Sequence, residues 1–158
     1  MLLIDAVDSG AAVSFVGPLA IEQSRAWCQK TDAACGGSSI FLVVSGDQGI
    51  VGTVQMHWGW APNQPHRAEI TNLMVHRRAR GLGVGRRLMG AVETAARQAG
   101  VGLLTLDGKQ RGVADQLYAK LGWRLAGVIP RFVLDTDGRT PHASVIYFKD
   151  LSEGQAEI

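Results

Sequence analysis

The chain has 158 residues, 46% hydrophobic and 19% charged, which supplies one hydrophobic core and is too short for two ordinary domains. Sixteen Lys plus Arg against fourteen Asp plus Glu leave a formal charge of +2, which excludes the basic excess of a dedicated nucleic-acid binder. Two cysteines, Cys28 and Cys35, form neither a disulfide framework nor a zinc spacing, and the scattered His57, His66, His76 and His142 add no metal-ligand pattern.

In chain order, Met1–Ile4 is apolar, but Asp5 and Asp8 follow at once, unlike a signal peptide, and residues 2–8 read as the end of a helix. Pro18 to Cys35 reads as a second helix, with Pro18 early, Gly36-Gly37 after its close, and Ile21, Ala26 and Trp27 on its buried side. Ile40–Val44 and Gly49–Trp58 are β-rich runs around the turn residues Ser45-Gly46-Asp47-Gln48, a hairpin. His57, Trp58 and Trp60 fall at its end, where they are assigned packing and no catalytic role. Pro62 to Pro65 is a loop, and Arg67–Val75 is the next strand.

Val84–Ala99 carries Val84, Leu88, Ala91, Val92, Ala95 and Ala99 at three- and four-residue intervals, a helix with a Glu93/Arg97 pair on its outer face. Gly100 ends it. The apolar run Val101–Leu106 predicts a central strand buried on both faces. Ala114, Leu117, Tyr118 and Leu121 stripe a short helix closed by Gly122, and two strands follow, Trp123–Ile129 and His142–Phe148, joined through Asp135–Gly138. The expected fold is α/β, a mixed sheet flanked by helices, in one domain over residues 1–151 with a loose tail at 152–158. No stretch approaches the roughly 18 apolar residues of a membrane span, so the expectation is a soluble, cytoplasmic protein without membrane partners.

The segment between Val75 and Val84 carries the chemistry. A strand, a turn rich in Arg and Gly, and a helix start make an anion site, because unpaired N–H groups and the positive end of the helix dipole converge there. Gly81, Gly83 and Gly85 allow close approach of main chain to phosphate oxygens, and Arg80 and Arg86 add charge. A P-loop needs Lys-Ser or Lys-Thr after its last glycine, where this chain has Arg86-Arg87. A dinucleotide fingerprint needs G-x-G-x-x-G, and the spacing here is G-x-G-x-G. The clustered arginines Arg77, Arg78, Arg80, Arg86 and Arg87 are explained by a phosphorylated cofactor, without nucleic acid.

Arg80-x-x-Gly83-x-Gly85 resembles the [RQ]-x-x-G-x-[GA] signature of the GNAT superfamily of N-acetyltransferases. Ala114 to Trp123 resembles that family's A-x-x-x-Y-x-x-x-G-[FW] segment, and the resemblance covers nearly all of the chain. It implies acetyl-CoA as co-substrate, no metal, a mostly antiparallel central sheet, and a plausible homodimer. It also implies that the main chain of Leu73, Met74 and Val75 pairs with the pantetheine, while Arg80, Gly81, Gly83, Val84, Gly85 and Arg86 hold the diphosphate. The family's first strand has no obvious counterpart here, and Arg111 stands where many members have an asparagine.

Acetyl transfer to an amine needs a neutral nucleophile, oxyanion stabilisation and a proton for the departing thiolate. Tyr118, protonated at neutral pH, is the candidate general acid. Glu69 and Asp107 are candidate bases, with Asp107 alternatively binding the ammonium group. Bland readings stand beside these: Tyr118 as core, Glu69 as a solvated strand residue, Asp107 as a turn former. The expected acceptor is a small-molecule amine. The alternatives are a Lys or N-terminal acetyltransferase acting on proteins, which requires an open groove, and a non-catalytic acyl-CoA-binding regulator.

Overall fold

The computed structural model describes residues 1–11 and 13–152, so the predicted tail lies almost wholly outside the described residues. Helices α1 (Leu2–Asp8) and α2 (Ile21–Ala34) precede the β1/β2 hairpin (Ser39–Gly46 and Gly49–Trp58). Then come β3 (Arg67–Val75), a 3-10 turn at Arg77–Ala79, α3 (Val84–Gln98), β4 (Leu103–Lys109), α4 (Val113–Lys120), β5 (Arg124–Leu134) and β6 (Pro141–Asp150). The six strands form one sheet in the order β1-β2-β3-β4-β6-β5, antiparallel except for β3 and β4. The sheet begins at β1, so a family strand ahead of α1 has no counterpart among the described residues.

Alternation along the strands divides the sheet into two faces. One face carries Val54, Met56, Ala68, Ile70, Leu104, Leu106 and Tyr147, and packs against Val84, Leu88, Met89, Val92 and Ala96 of α3 and Tyr118 of α4. The other carries Met74, against which α1 and its following loop place Leu2, Leu3, Ala6, Val7 and Val13. Asp5 ties α1 to the turn after β3. Its buried carboxylate accepts the Arg77 backbone N–H at 3.0 Å and pairs with the Arg77 guanidinium, with His76 Nδ1 3.7 Å away. Burial raises the pKa of this carboxyl, but the Arg77 hydrogen bonds and the charges of His76 and Arg77 outweigh that and hold it below its usual value.

Several expectations are corrected. The second helix starts at Ile21, where the Gln23 side chain accepts the Ala20 N–H at 3.0 Å and supplies the cap. Its inward stripe is Ser24, Trp27, Cys28 and Thr31, while Ile21 and Ala26 face solvent, because it packs partly on a polar patch of β2 at Gln55. In α3, Ala91 and Ala99 are exposed and Met89 and Ala96 are buried, the small alanines having blurred the true stripe. Glu93 turns inward, accepting from Lys149 Nζ at 2.7 Å and Trp123 Nε1 at 3.2 Å, and Arg97 donates to the Leu151 carbonyl at 2.6 Å. Trp60, expected to pack, is 90% exposed. β5 runs five residues past the expected Ile129, as an edge strand.

Candidate active site

Parallel pairing of β3 with β4 covers only Arg67–Glu69 against Leu103–Thr105. Beyond it, β3 carries a bulge: Thr53 faces Met74 and Gln55 faces Thr71, so two residues, Asn72 and Leu73, oppose Val54 alone, with Asn72 at φ 50°. A bulge bends its strand, and the end of β3 leaves β4, exposing its edge over Ile70–Val75. The gap between the strands opens into a cleft of about 580 Å³.

Leu73, Met74 and Val75 line one wall of that cleft, Arg80, Gly81, Gly83, Val84, Gly85 and Arg86 its rim, and Asp107, Gly108, Lys109, Leu117 and Tyr118 the opposite wall. Gly81 and Gly83 adopt φ 76° and 77°, the left-handed region that suits glycine, and Gly83 is the N-cap of α3. Gly85 also has a packing role. It lies within the helix, and a Cβ there would sit 3.2 Å from Leu117 Cδ2, so its lack of a side chain lets α3 approach α4. Arg80 donates from Nε to the Val75 carbonyl at 3.1 Å and from Nη2 to Ser9 Oγ at 2.6 Å. Both partners are neutral, so the Arg80 charge remains available to a phosphate.

Tyr118 is 6% exposed, its ring 5.4 Å from Tyr147 and 6.2 Å from Trp123. Burial, and then the negative charges of Asp107 and Asp115 and the neighbouring Tyr147, raise its pKa far above that of an ordinary phenol. It therefore carries its proton throughout the neutral range. Asp107 is exposed and accepts Ser144 Oγ–H at 2.7 Å. Glu69 does not line the cleft: it sits on the opposite sheet face from Ile70, exposed, paired across the strands with His57 on β2 and Thr105 on β4. Arg111, at φ 58°, is not among the lining residues, whereas Gly108, Lys109 and Gly112 are.

A matching family model, the acetyltransferase (GNAT) family, aligns with residues 6–123, which hold both the rim of the cleft and Tyr118. The chain belongs to the GNAT acetyltransferase family. It is thus an acetyltransferase with acetyl-CoA as co-substrate. Solved structures share its fold. An N-acetyltransferase from Staphylococcus aureus Mu50 superposes with a TM-score of 0.78 at 20% identity over 95% of this chain and 88% of that one. A ribosomal-protein-alanine N-acetyltransferase from Brucella melitensis gives 0.77 at 21%, over 95% and 90%. A putative acetyltransferase from Salmonella typhimurium, solved with its cofactor acetyl-CoA, gives 0.76 at 19%, over 99% and 88%.

The GNAT cleft fits acetyl-CoA by its donors: two arginines, left-handed glycines, the first-turn N–H groups of α3, and a β3 edge not paired with β4. Two features were missed in the sequence. One is a strap over the face opposite α3 and α4. The tip of the β5/β6 hairpin reaches the loop between α1 and α2, where Gly17 N–H donates to the Thr136 carbonyl at 2.7 Å and Gly138 packs on Val16. A backbone contact of this kind has no sequence code. The other is a polar cluster at the bulge, formed by Thr31, Gln55, His57, Thr71 and Asn72. Its only signal was two polar side chains, Gln55 and His57, two apart on one strand of an apolar hairpin.

Proposed function

We propose that this GNAT protein transfers the acetyl group of acetyl-CoA to a primary amine of a small molecule by direct attack, with Tyr118 as general acid. Its buried phenol faces the cleft beside the exposed β3 edge, still protonated at neutral pH, so it has a proton to give to the departing CoA thiolate. In this reading the N–H groups of Leu73–Val75 pair with the pantetheine and polarise the thioester carbonyl. Arg80 and Arg86, with the turn from Gly81 through Val84 to Gly85, hold the diphosphate. Asp107, on the cleft wall, steers the ammonium or takes its proton, and Glu69 acts on the acceptor side.

The strap carries the choice of acceptor. In this reading the contact between Gly17 and Thr136 narrows the approach on the side opposite α3, which favours a small amine over a peptide laid across it. Ala68–Ile70, Leu73–Val75, Leu103–Asp107 and Ile146–Lys149 also resemble the tabtoxin resistance acetyltransferase, which supports an antibiotic- or toxin-like amine. A protein acceptor is the second reading, favoured by the acceptor in the name of the Brucella melitensis neighbour. A homodimer is part of the proposal: edge strand β5 exposes Leu125, Val128, Ile129, Phe132, Val133 and Leu134.

The test is release of CoA thiol across a panel of small amines and peptides, with Tyr118→Phe beside the wild type. A drop in kcat of about 10²–10⁴-fold is expected, with acetyl-CoA affinity retained. Wild-type kcat in Tyr118→Phe removes Tyr118 as the acid, and turnover of peptides alone overturns the small-molecule reading.

A further inference from the structure

Tyr118 has no hydrogen bond of its own among the described residues, so its place in the cleft wall is set by what holds α4. β6 holds that helix at both ends. Tyr147 and Lys149, two apart on β6, lie on the same face of the sheet. The Tyr147 hydroxyl donates to Asp115 Oδ1, in the first turn of α4, at 3.1 Å. Lys149 Nζ donates to the carbonyl of Leu121, the C-cap, at 2.7 Å. Asp115, Tyr118 and Leu121 recur every three residues along one helix face, so the phenol lies midway between the two ties. The Tyr147 ring is also a neighbour of the Tyr118 ring, with centroids 5.4 Å apart and planes at 56°. Burial, and then the charge of Asp115, raise the Tyr147 pKa, so its hydroxyl keeps the proton it donates. The tie at the C-cap has a second anchor, because Lys149 Nζ also meets Glu93 Oε2 at 2.7 Å. The tie at the first turn depends on Asp115.

We infer that Asp115 is a positioning residue for acetyl transfer: by fixing the Tyr147 hydroxyl it seats the first turn of α4 and sets the point from which the Tyr118 phenol meets the departing thiolate. The inference rests on the reading of Tyr118 as general acid. Neither Asp115 nor Tyr147 lines the cleft, so both act through Tyr118 and touch no substrate. One hydrogen bond adds little to overall stability, but a displacement of about 1 Å in a reacting group costs about 10²-fold in rate. The tie therefore matters more to turnover than to folding. Its acceptor oxygen is what counts; the negative charge of Asp115 is dispensable to this role.

The test compares wild type, Tyr147→Phe, Asp115→Ala and Asp115→Asn, each alone and combined with Tyr118→Phe. CoA thiol release is followed with 2-phenylethylamine and spermidine as probe amines, and acetyl-CoA affinity by calorimetry. Tyr147→Phe and Asp115→Ala are expected to lower kcat about 10–10²-fold with acetyl-CoA affinity unchanged. Asp115→Asn, whose amide oxygen still accepts the hydroxyl, restores most of the rate. In the Tyr118→Phe background none of the three lowers kcat further, since the group they act through is gone. Wild-type kcat in Tyr147→Phe or Asp115→Ala overturns the inference. So does an undiminished loss on top of Tyr118→Phe, which is what a purely structural tie gives. Tyr118 and Tyr147 are the two tyrosines of the chain, so carbon-13 tyrosine spectra give an arm that needs no amine. The Tyr118 ring resonance must differ between Asp115→Ala and Asp115→Asn, both of which lack the charge, and coincident resonances also overturn the inference. If they differ while Tyr118→Phe keeps the wild-type kcat, the tie stands and the acid reading fails.

Discussion

Gly52 on β2 determines how closely α3 sits on the sheet, and Gly52→Ala tests that directly. A Cβ at this position would lie 2.7 Å from Val84 Cγ1, 3.0 Å from Leu88 Cδ1 and 3.3 Å from the Met74 carbonyl oxygen. Val84 has little room to turn aside, because a β-branched residue in a helix keeps essentially one rotamer. The methyl group must be accommodated by moving the start of α3, at an overpacking cost of about 1–3 kcal/mol. At about 2–4 °C per kcal/mol for a chain of this size, Tm falls by roughly 2–12 °C. Val84 follows the N-cap Gly83, so the displacement falls on the turn proposed to hold the diphosphate, and a loss of about 1.4 kcal/mol there weakens CoA binding tenfold. Gly90 in the same helix is the control. It is exposed with nothing within 4 Å of an added Cβ, so Gly90→Ala stabilises by about 0.5–1 kcal/mol. Scanning calorimetry and CoA titration read both variants. A Gly52→Ala protein with wild-type Tm and CoA affinity would refute the claim that this contact seats the anion-binding turn.

Asp5 carries a pH-dependent contribution. Its folded pKa is depressed, so the stabilisation is present above the unfolded carboxyl value and is lost as pH falls through the folded one; Asp5→Asn costs about 1–3 kcal/mol at pH 7 and little at pH 2 by urea denaturation. That range allows for solvent screening of Arg77, whose side chain is half exposed; an equal loss at both pH values refutes the linkage. Replacing Thr136–Arg139 with Asn-Gly removes the contact to Gly17 and is expected to raise KM for small amines several-fold while admitting peptides, read by mass spectrometry of acetylated products.

What was legible in the sequence is what local chemistry dictates. The glycines of Arg80–Gly85 and the stripe Ala114–Leu117–Tyr118 announced the turn that leads into α3 and the α4 helix, and the cleft gathers their residues with Leu73–Val75. The resemblance named Tyr118, whereas periodicity alone left it as core. Glu69 shows the limit. Its position on β3 was correct, but the face it presents depends on register with β2, and the bulge at Asn72 that resets this register requires a left-handed asparagine that pattern reading does not reveal. The α2 stripe failed for a related reason: the patch beneath it is polar, so Ser24 and Thr31 turn inward where apolar residues were expected.

The strap and the cleft together constrain the order of events. The diphosphate turn and Tyr118 lie with the α3/α4 side of the sheet, whereas Gly17, Thr136 and His57 belong to the other side. Under the proposed function the two substrates approach the splayed strands from opposite faces and meet at the β3 bulge. Neither cysteine lines the cleft, since Cys28 and Cys35 lie on and just after α2. A thiol is thus not placed to take the acetyl group before the amine arrives. Under the proposed mechanism both substrates must be bound together, and the bulge that separates β3 from β4 is what allows it. In that mechanism it frees a strand edge for the pantetheine on one side and leaves the other side to the amine.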